Sequence, residues 1–379
     1  MLAKFEPKRL KQARSLRGKT LAELGEAIDL TRQSLSFFEN GERVPAPETL
    51  DKLSDALNVP LEFFLRPFGN TESRARTLVH YRSLRRTREV LREQDRASAI
   101  LDLAAATLDT FENYVDYELA RLPSIENAQN VDWLPMEDVE DVATKARRFF
   151  GLGDGPISNV TLLLENFAIL VVRATLSDGM DGLSAWYGDR PIIVVSNSAP
   201  YGRDRANVAH ELGHLVLHRE LDHYGQLDPE TFKRVEAQAW RFAGAFLLPA
   251  KSFLAEIYSV SLDALIVQKR KWGVSVAFMI RRLRDLGVID EAQHKYLNIQ
   301  LRQKGWGRHE PGDDQPSEQS RLFYKTANVL NDAGDISLPN LAMQSKLPRD
   351  IFAAALDIDV AELQPLVTSD NVIPFKLKR

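Results

Sequence analysis

Two histidines four residues apart, with a glutamate directly after the first, constrain this chain more than any other feature. The run is His210-Glu211-Leu212-Gly213-His214. On an α-helix, residues i and i+4 lie on the same face one turn apart, so both imidazoles reach a single metal ion. The glutamate lies about 100° further round the helix, beside a water on that ion. The spacing therefore predicts that this segment is helical and that it binds a metal.

The residues around this run predict a sheet followed by a metal-binding helix. Three β-branched segments bounded by Gly, Asp and Pro predict strands at residues 168–173, 182–187 and 191–196. Residues 204–218 then predict one helix with Asp204 as its N-cap. This order of elements is expected of zincin-type peptidases, in which an H-E-x-x-H helix supplies two zinc ligands and a general base.

A catalytic zinc site needs a third protein ligand, because it leaves its fourth position to water. Residues 229–248 predict a second helix that is apolar on most faces, and Glu236 lies within it. A bare carboxylate there would be expensive to bury, and metal ligation makes the burial tolerable. Glu236 is therefore the first candidate. Glu220, Asp222 and Glu230 are the alternatives.

His218 is placed less well for ligation, because eight helical residues separate it from His210 by about 12 Å along the axis. A hydrogen bond behind the ligands, or a charge at the helix end, suits it better. The chemistry also calls for a donor to the oxyanion of the reaction. The candidates for that donor are His218, Tyr187, Tyr201 and Tyr224.

Over roughly residues 139–311 the chain resembles the ImmA/IrrE family of metallopeptidases. The resemblance rests on residues 203–218 and on a second run, which begins at Glu236 and ends at Phe246-Leu247-Leu248-Pro249. Members often carry a second Glu where this chain has Gln238. The resemblance implies Zn²⁺ as cofactor and an Xre-type repressor as protein substrate. The residues it implies are the zinc ligands His210, His214 and Glu236, and the general base Glu211.

The first 66 residues predict a separate all-α domain. Short amphipathic segments broken at Gly18, at residues 29–31 and at Gly41 predict helices joined by tight turns. Two such helices in sequence form a helix-turn-helix unit, whose second helix enters the major groove of DNA.

This segment is similar throughout to the Xre and phage-repressor family, on runs such as residues 20–25, 31–41 and 45–60. The resemblance implies binding of double-stranded DNA, at an operator that is an inverted repeat read by a homodimer. By the same analogy, the residues that face bases are Arg32, Gln33 and Ser36. The residues that contact phosphates are Thr20, Thr31 and Asn40.

Composition excludes several classes of protein. The chain has 379 residues, no cysteine and a formal net charge of −4, which rules out a disulfide scaffold and a general nucleic-acid coat. It has no apolar run of the roughly 18 residues that a membrane span requires, and its first residues are charged rather than signal-like. A cytoplasmic protein without membrane contact is predicted. Basic residues gather at residues 4–19 and 74–96, where they favour phosphate contact.

The sequence therefore predicts an α+β fold that is mainly helical with a small sheet. The predicted parts are a helix-turn-helix domain at 1–66, a helical connector and candidate dimer element at 67–125, a zincin-like peptidase domain with a helical cover at 126–308, a linker at 309–320 and a small C-terminal helical region at 321–379. The predicted function is a DNA-binding regulator joined to a zinc endopeptidase that acts in a stress or mobile-element response. The alternative is a non-proteolytic transcription factor whose zincin-like domain senses a metal or a small ligand.

Overall fold

Helices and one small sheet make up the chain, as the sequence predicts. The computed structural model describes residues 4–73, 76–77, 87–120, 122–123, 134–177, 179–219, 221 and 227–363. The helices are α1 Pro7–Leu16, α2 Leu21–Ile28, α3 Arg32–Glu39, α4 Pro47–Leu57, α5 Arg88–Phe111, α6 Met136–Phe149, α7 Val160–Glu165, α8 Tyr201–Leu217, α9 Pro229–Leu247, α10 Ala250–Leu254, α11 Leu262–Trp272, α12 Val276–Asp285, α13 Glu291–Gln303, α14 Leu322–Asp332, α15 Leu338–Ser345 and α16 Arg349–Leu356, with short 3₁₀ turns at Leu61–Leu65 and Val360–Leu363. Within these described ranges, no helix is both long and apolar enough to cross a bilayer.

The sheet has the strand order β1-β3-β4-β2. Its strands are β1 Arg76–Thr77, β2 Leu170–Ala174, β3 Gly182–Tyr187 and β4 Arg190–Ser196. β3 and β4 form an antiparallel hairpin, and β2 runs parallel to β4. The three longer strands lie within two residues of their predicted positions. β1 is not predicted from the sequence, because two residues carry no periodicity.

Each face of the sheet is covered by its own hydrophobic core. On one face, side chains such as Leu183 and Val194 pack with the N-terminal helices, α5 and α14–α16. On the other, Trp186 and Ile193 pack with α6, α8, α9 and α11–α13. Burial on both faces explains why these strands are continuous apolar runs rather than alternating ones. The sheet thus separates the core formed with the N-terminal and C-terminal helices from the core that contains α8 and α9.

The N-terminal helices form the predicted helix-turn-helix unit. Thr20 caps α2 and accepts a hydrogen bond from the Glu23 backbone at 3.1 Å, while Thr31 caps α3 in the same way. Between the helices, Asp29 adopts a left-handed conformation with φ of 57°. Leu35 is fully buried and fixes α3 to the domain, so the other faces of α3 stay at the surface.

The connector, predicted to be helical at residues 67–125, contains the helix α5. α5 ends at Phe111, and the chain then turns back, because Arg190 on β4 binds the carbonyl oxygens of Tyr117 and Glu118. Residues 78–86 lie outside the described part. The apolar half of α5 is buried inside this chain, against α1, the sheet and α16. Packing across two chains is therefore not needed to cover it.

Residues 309–320, predicted to be a linker, are packed onto the peptidase side. Glu310 accepts hydrogen bonds from the first backbone amides of α12 and from Lys269. Glu318 accepts them from the first amides of α7, at 2.8 and 2.9 Å, and pairs with Arg205. Both glutamates are almost fully buried. Composition does not reveal this burial, because a glutamate that caps a helix cannot be distinguished in the sequence from one that is exposed to solvent.

The C-terminal helices repeat the helix-turn-helix geometry. α15 and α16 have eight residues each and are joined through a left-handed residue, Lys346, with φ of 55°. α16 is buried against α5 and β2 on most of its faces. It therefore serves as packing and has no free face for a DNA groove. Asp350 at its start pairs with Arg17 of α1 at 2.6 Å, which ties this region to the N-terminal helices.

Candidate metal centre

α8 carries the H-E-x-x-H run and begins three residues earlier than predicted. Its N-cap is Pro200, so the prediction of Asp204 as N-cap is wrong. Asp204 lies instead in the first turn, almost fully buried, and pairs with Arg173 of β2 at 2.5 Å. A buried guanidinium needs a counter-charge, and this pair ties α8 to the sheet.

α9 packs directly onto α8 at Gly213, which brings the second helix close to the two histidines. A Cβ on Gly213 would lie 3.0 Å from the Ala239 carbonyl oxygen and 3.1 Å from a ring carbon of Phe242. The contact is with helical backbone, which cannot give way locally. The absence of a side chain at Gly213 therefore allows the close approach of α8 and α9.

We expect Gly213→Val to destabilise the protein by about 1–3 kcal/mol, because the added methyl groups force α8 and α9 apart. Thermal unfolding of the two proteins measures the loss. Gly153→Val is the control, since no described atom lies within 4 Å of a Cβ at Gly153. Equal melting of the Gly213 variant and wild type would contradict the packing described.

Three side chains converge between these helices. The Nε2 atoms of His210 and His214 are 3.2 Å apart. The Glu236 carboxylate lies 3.5 Å from the first and 3.3 Å from the second. A tetrahedral zinc ion with bonds of 2.0–2.1 Å places its ligand atoms about 3.3 Å apart. The donor set, two imidazoles and a carboxylate, and its spacing therefore both fit zinc.

The charges of these groups suit a cation. Burial lowers the pKa of His210 to about 4, which keeps its ring neutral at neutral pH. Burial alone would raise the pKa of Glu236, but its hydrogen bonds to His210 and His214 hold that pKa well below the usual range. Two neutral imidazoles and one carboxylate are the protonation states in which these groups ligate a metal.

Glu211 lies beside this cluster and faces β3. Its carboxylate accepts a hydrogen bond from the Ser184 hydroxyl at 2.7 Å, and burial raises the pKa of Glu211 to about 7. Gly182 leaves the space that the carboxylate needs, since a Cβ there would lie 3.1 Å from its Oε1. A carboxylate with a pKa near neutrality is suited to take up and release a proton at that pH.

Comparison with known proteins agrees with this geometry. Residues 164–284 match the profile of a peptidase family described as the IrrE N-terminal-like domain, and residues 10–64 match that of a helix-turn-helix. The chain thus contains a helix-turn-helix region followed by a region similar to the IrrE N-terminal-like domain. A stretch of 66 residues is 39% identical to the HTH-type transcriptional regulator SutR of Escherichia coli strain K12, and it spans 17% of this chain and 37% of that protein.

In the IrrE-like domain, a relay of hydrogen bonds orients His214. Its Nδ1 lies 3.0 Å from Nδ1 of His218, whose Nε2 lies 3.1 Å from Oε1 of Gln238. The Gln238 amide in turn donates to the Leu134 carbonyl at 3.0 Å. If His214 ligates through Nε2, its protonated Nδ1 donates to Nδ1 of His218. The protonated Nε2 of His218 then donates to Oε1 of Gln238, so each bond has one donor and one acceptor. Gln238 thus supplies an acceptor where relatives often carry Glu.

Tyr187 and Tyr201, two of the candidate oxyanion donors, lie away from the cluster. The Tyr187 hydroxyl donates to Asp102 at 2.7 Å, on the face of the sheet that points away from α8. Tyr201 lies at the start of α8, about 13 Å along the axis from His210. Both ring nitrogens of His218 are already hydrogen-bonded, to His214 and to Gln238. Both tyrosines are therefore misplaced for this role, and Tyr224 lies outside the described residues.

Glu230, one of the alternative ligands, is not part of the cluster. Glu230 lies in the exposed first turn of α9, and it is absent from the only group of metal-ligating side chains that the described residues bring together. Glu220 and Asp222 lie outside those residues.

A small cavity of about 10 Å³ adjoins the cluster, with room for about one water molecule or ion. Besides His210, His214, Glu211 and Glu236, its walls are Asp181, Gly182, Asn207 and Trp240. Trp240 stacks on the His210 ring, with centroids 4.2 Å apart. Sequence reasoning missed these four residues. Asn207 alone left a signal, because it precedes His210 by three residues and so shares its helix face.

In the helix-turn-helix domain, the residues expected to contact DNA are at the surface. Arg32 and Gln33 are exposed and Ser36 is half-buried, all on α3, and Thr20, Thr31 and Asn40 are exposed at helix ends. The neighbouring basic cluster is smaller than its sequence indicates. Arg9 is fully buried against Glu72, and Arg14 pairs with Glu39 at 2.6 Å. These two guanidinium groups support the fold.

Proposed function

We propose that the IrrE-like domain is a zinc-dependent endopeptidase and that the helix-turn-helix domain directs the chain to an operator. The observation that carries the proposal is the convergence of three side chains: the Nε2 atoms of His210 and His214 are 3.2 Å apart, and the two carboxylate oxygens of Glu236 lie 3.5 and 3.3 Å from them. Glu211 beside them provides the base that a purely structural metal site does not require. The fourth coordination position is left to water.

Zinc, when bound by these three residues, polarises the peptide carbonyl and lowers the pKa of a water molecule. Glu211 accepts a proton from the attacking water, whose oxygen bonds to the carbonyl carbon. The C–N bond then breaks, and the leaving nitrogen takes the proton from Glu211. Ser184 holds the carboxylate in place throughout, and the relay through His218 keeps the His214 ring in one orientation.

The substrate class we propose is an Xre-type repressor, which follows from the resemblance to the ImmA/IrrE family. Co-expression with such a repressor, followed by mass spectrometry of the products, tests this. We expect two fragments from one internal cleavage with wild type, and intact repressor with Glu211→Gln.

DNA binding is expected to depend on α3. Replacing Arg32 or Gln33 by Ala should weaken binding of the full chain to its operator by about 1–3 kcal/mol and relax specificity at the contacted base pairs. Fluorescence anisotropy with operator and scrambled duplexes measures both. Arg349→Ala is the matched control, since Arg349 is the exposed first residue of α16. An unchanged footprint for the double Arg32 and Gln33 variant would contradict the role of α3.

The helix-turn-helix domain acts as a homodimer in this proposal, because an inverted repeat presents two half-sites about one DNA turn apart. Light scattering of the full chain, with and without the operator, measures the mass. A single chain on a single half-site would contradict this part of the proposal.

A second candidate function rests on the same donor cluster. The cavity beside it has room for a metal ion, and binding of that ion does not require a polypeptide substrate. On this alternative the domain senses the metal and changes DNA affinity without proteolysis. Operator affinity measured with and without zinc, in wild type and Glu211→Gln, separates the two: a sensor responds to zinc equally in both proteins.

A further inference from the structure

Asn207 is a buried polar side chain next to the metal cluster, and its amide nitrogen has no hydrogen-bond partner among the described residues. It lies on α8 one turn before His210, on the same face, and lines the cavity shared with Glu211 and Glu236. The side chain is only 3% exposed. Its Nδ2 makes no hydrogen bond to any described residue. Leaving such a donor unsatisfied costs about 1–3 kcal/mol, so a partner that arrives from outside the chain is indicated.

The position of the cavity indicates what that partner can be. Its walls include His210, His214 and Glu236 as well as Glu211 and Asn207, so a group that reaches the metal and the base also comes close to Asn207. If the proposed peptidase function holds, the group that the reaction brings here is the oxygen of the scissile carbonyl. Charge develops on this oxygen when the water oxygen adds to the carbonyl carbon, and leaves it when the C–N bond breaks.

We infer that Asn207 is a catalytic residue that donates a hydrogen bond from Nδ2 to the scissile carbonyl oxygen in the transition state. A side-chain amide suits this role, because it donates strongly to an oxyanion and carries no charge that would repel the cation. Asn207 would thus supply the hydrogen-bond donor to the oxyanion that Tyr187 and Tyr201 are too far away to supply. The inference rests on the proposed peptidase function.

A structural role for Asn207 makes a different prediction. Nδ1 of His210 is also buried without a described partner, and a water between it and Asn207 would make the asparagine a support for the metal ligand. In that case, loss of the amide lowers zinc affinity. In our inference, zinc affinity is unchanged and only binding of an oxyanion mimic suffers.

Two probes that differ in one group separate these roles. N-phosphoryl-Leu-Phe presents a tetrahedral anionic oxygen beside the metal, while mercaptoacetyl-Leu-Phe ligates through sulfur and has no such oxygen. Their affinities for the zinc-loaded full chain are measured by calorimetry, together with zinc content and melting temperature. The variants are Asn207→Leu, which has nearly the same size without the amide, and Asn207→Ser, which keeps a donor. Asn298→Leu, on α13, is the control for removal of an amide.

We expect Asn207→Leu to weaken the phosphoryl probe about 100-fold and to leave the mercapto probe and zinc content unchanged. Asn207→Ser should recover part of the loss, and kcat should fall in parallel with little change in KM. Equal effects on both probes, reduced zinc affinity, or phosphoryl binding independent of residue 207 would overturn the inference. Zinc content of the wild type is measured first. Its absence would overturn the proposed function itself.

Discussion

His210→Ala and His214→Ala are each expected to reduce the zinc content of the purified chain from about one ion to none. Each change removes one of three ligands and leaves Glu236 facing a single imidazole. Glu236→Ala should weaken binding strongly for the same reason. Metal analysis by mass spectrometry after dialysis against a weak chelator measures the content.

The matched control for this prediction is His294→Ala, which removes an imidazole on α13, where His294 lies near Glu291 rather than the cluster. Its zinc content should equal that of wild type. Zinc that survives loss of both His210 and His214 would show that the metal is bound elsewhere on the chain.

Glu211→Gln is expected to keep the metal and lose proteolysis by a factor of about 10²–10⁴, which is the usual contribution of a general base. The amide oxygen of Gln can accept the Ser184 hydrogen bond, so the side chain stays in place. It cannot take up the proton of the attacking water. Cleavage rate and zinc content are measured on the same preparation.

The stability of this variant provides an internal check. Burial raises the pKa of Glu211 to about 7, so ionisation of this carboxyl opposes folding as the pH rises from its ordinary pKa toward 7. A neutral Gln removes that cost, and the variant should melt no lower than wild type at pH 8. Glu291→Gln, at an exposed position on α13, is the control. Undiminished cleavage by Glu211→Gln would exclude Glu211 as the base.

The parts of the fold that follow local patterns could be predicted from the sequence. The helix-turn-helix unit, the three longer strands and the helices α8 and α9 all follow from periodicity, caps and breakers. The segment at 309–320 could not be predicted, because the partners of Glu310 and Glu318 are helix ends far away in sequence. The path of the chain after α5 could not be predicted for a similar reason. It is fixed by hydrogen bonds from Arg190, which is about 70 residues away in sequence, to the carbonyl oxygens of Tyr117 and Glu118.

At the candidate metal site, the residues placed together by one helix were the easiest to predict. His210, Glu211 and His214 follow from helical spacing, and Glu236 from the cost of burying a carboxylate. Ser184 could not be found, because its contact with Glu211 depends on how β3 packs against α8. The tyrosines were chosen for their hydroxyl chemistry alone, and the sheet turns Tyr187 away from the site.

The sheet with a core on each face has a consequence for the evolution and engineering of this chain. A fragment that contained only the peptidase region would lack the N-terminal helices and α5. One face of β2, β3 and β4 would then be uncovered, and side chains such as Leu183, Ile192 and Val194 would be exposed to water. Each of these would lose about 1.5–3 kcal/mol of burial. The helices on the two faces of the sheet are therefore expected to unfold together. Calorimetry should record one unfolding transition for the whole molecule, and fragments that divide it at this sheet should aggregate rather than fold.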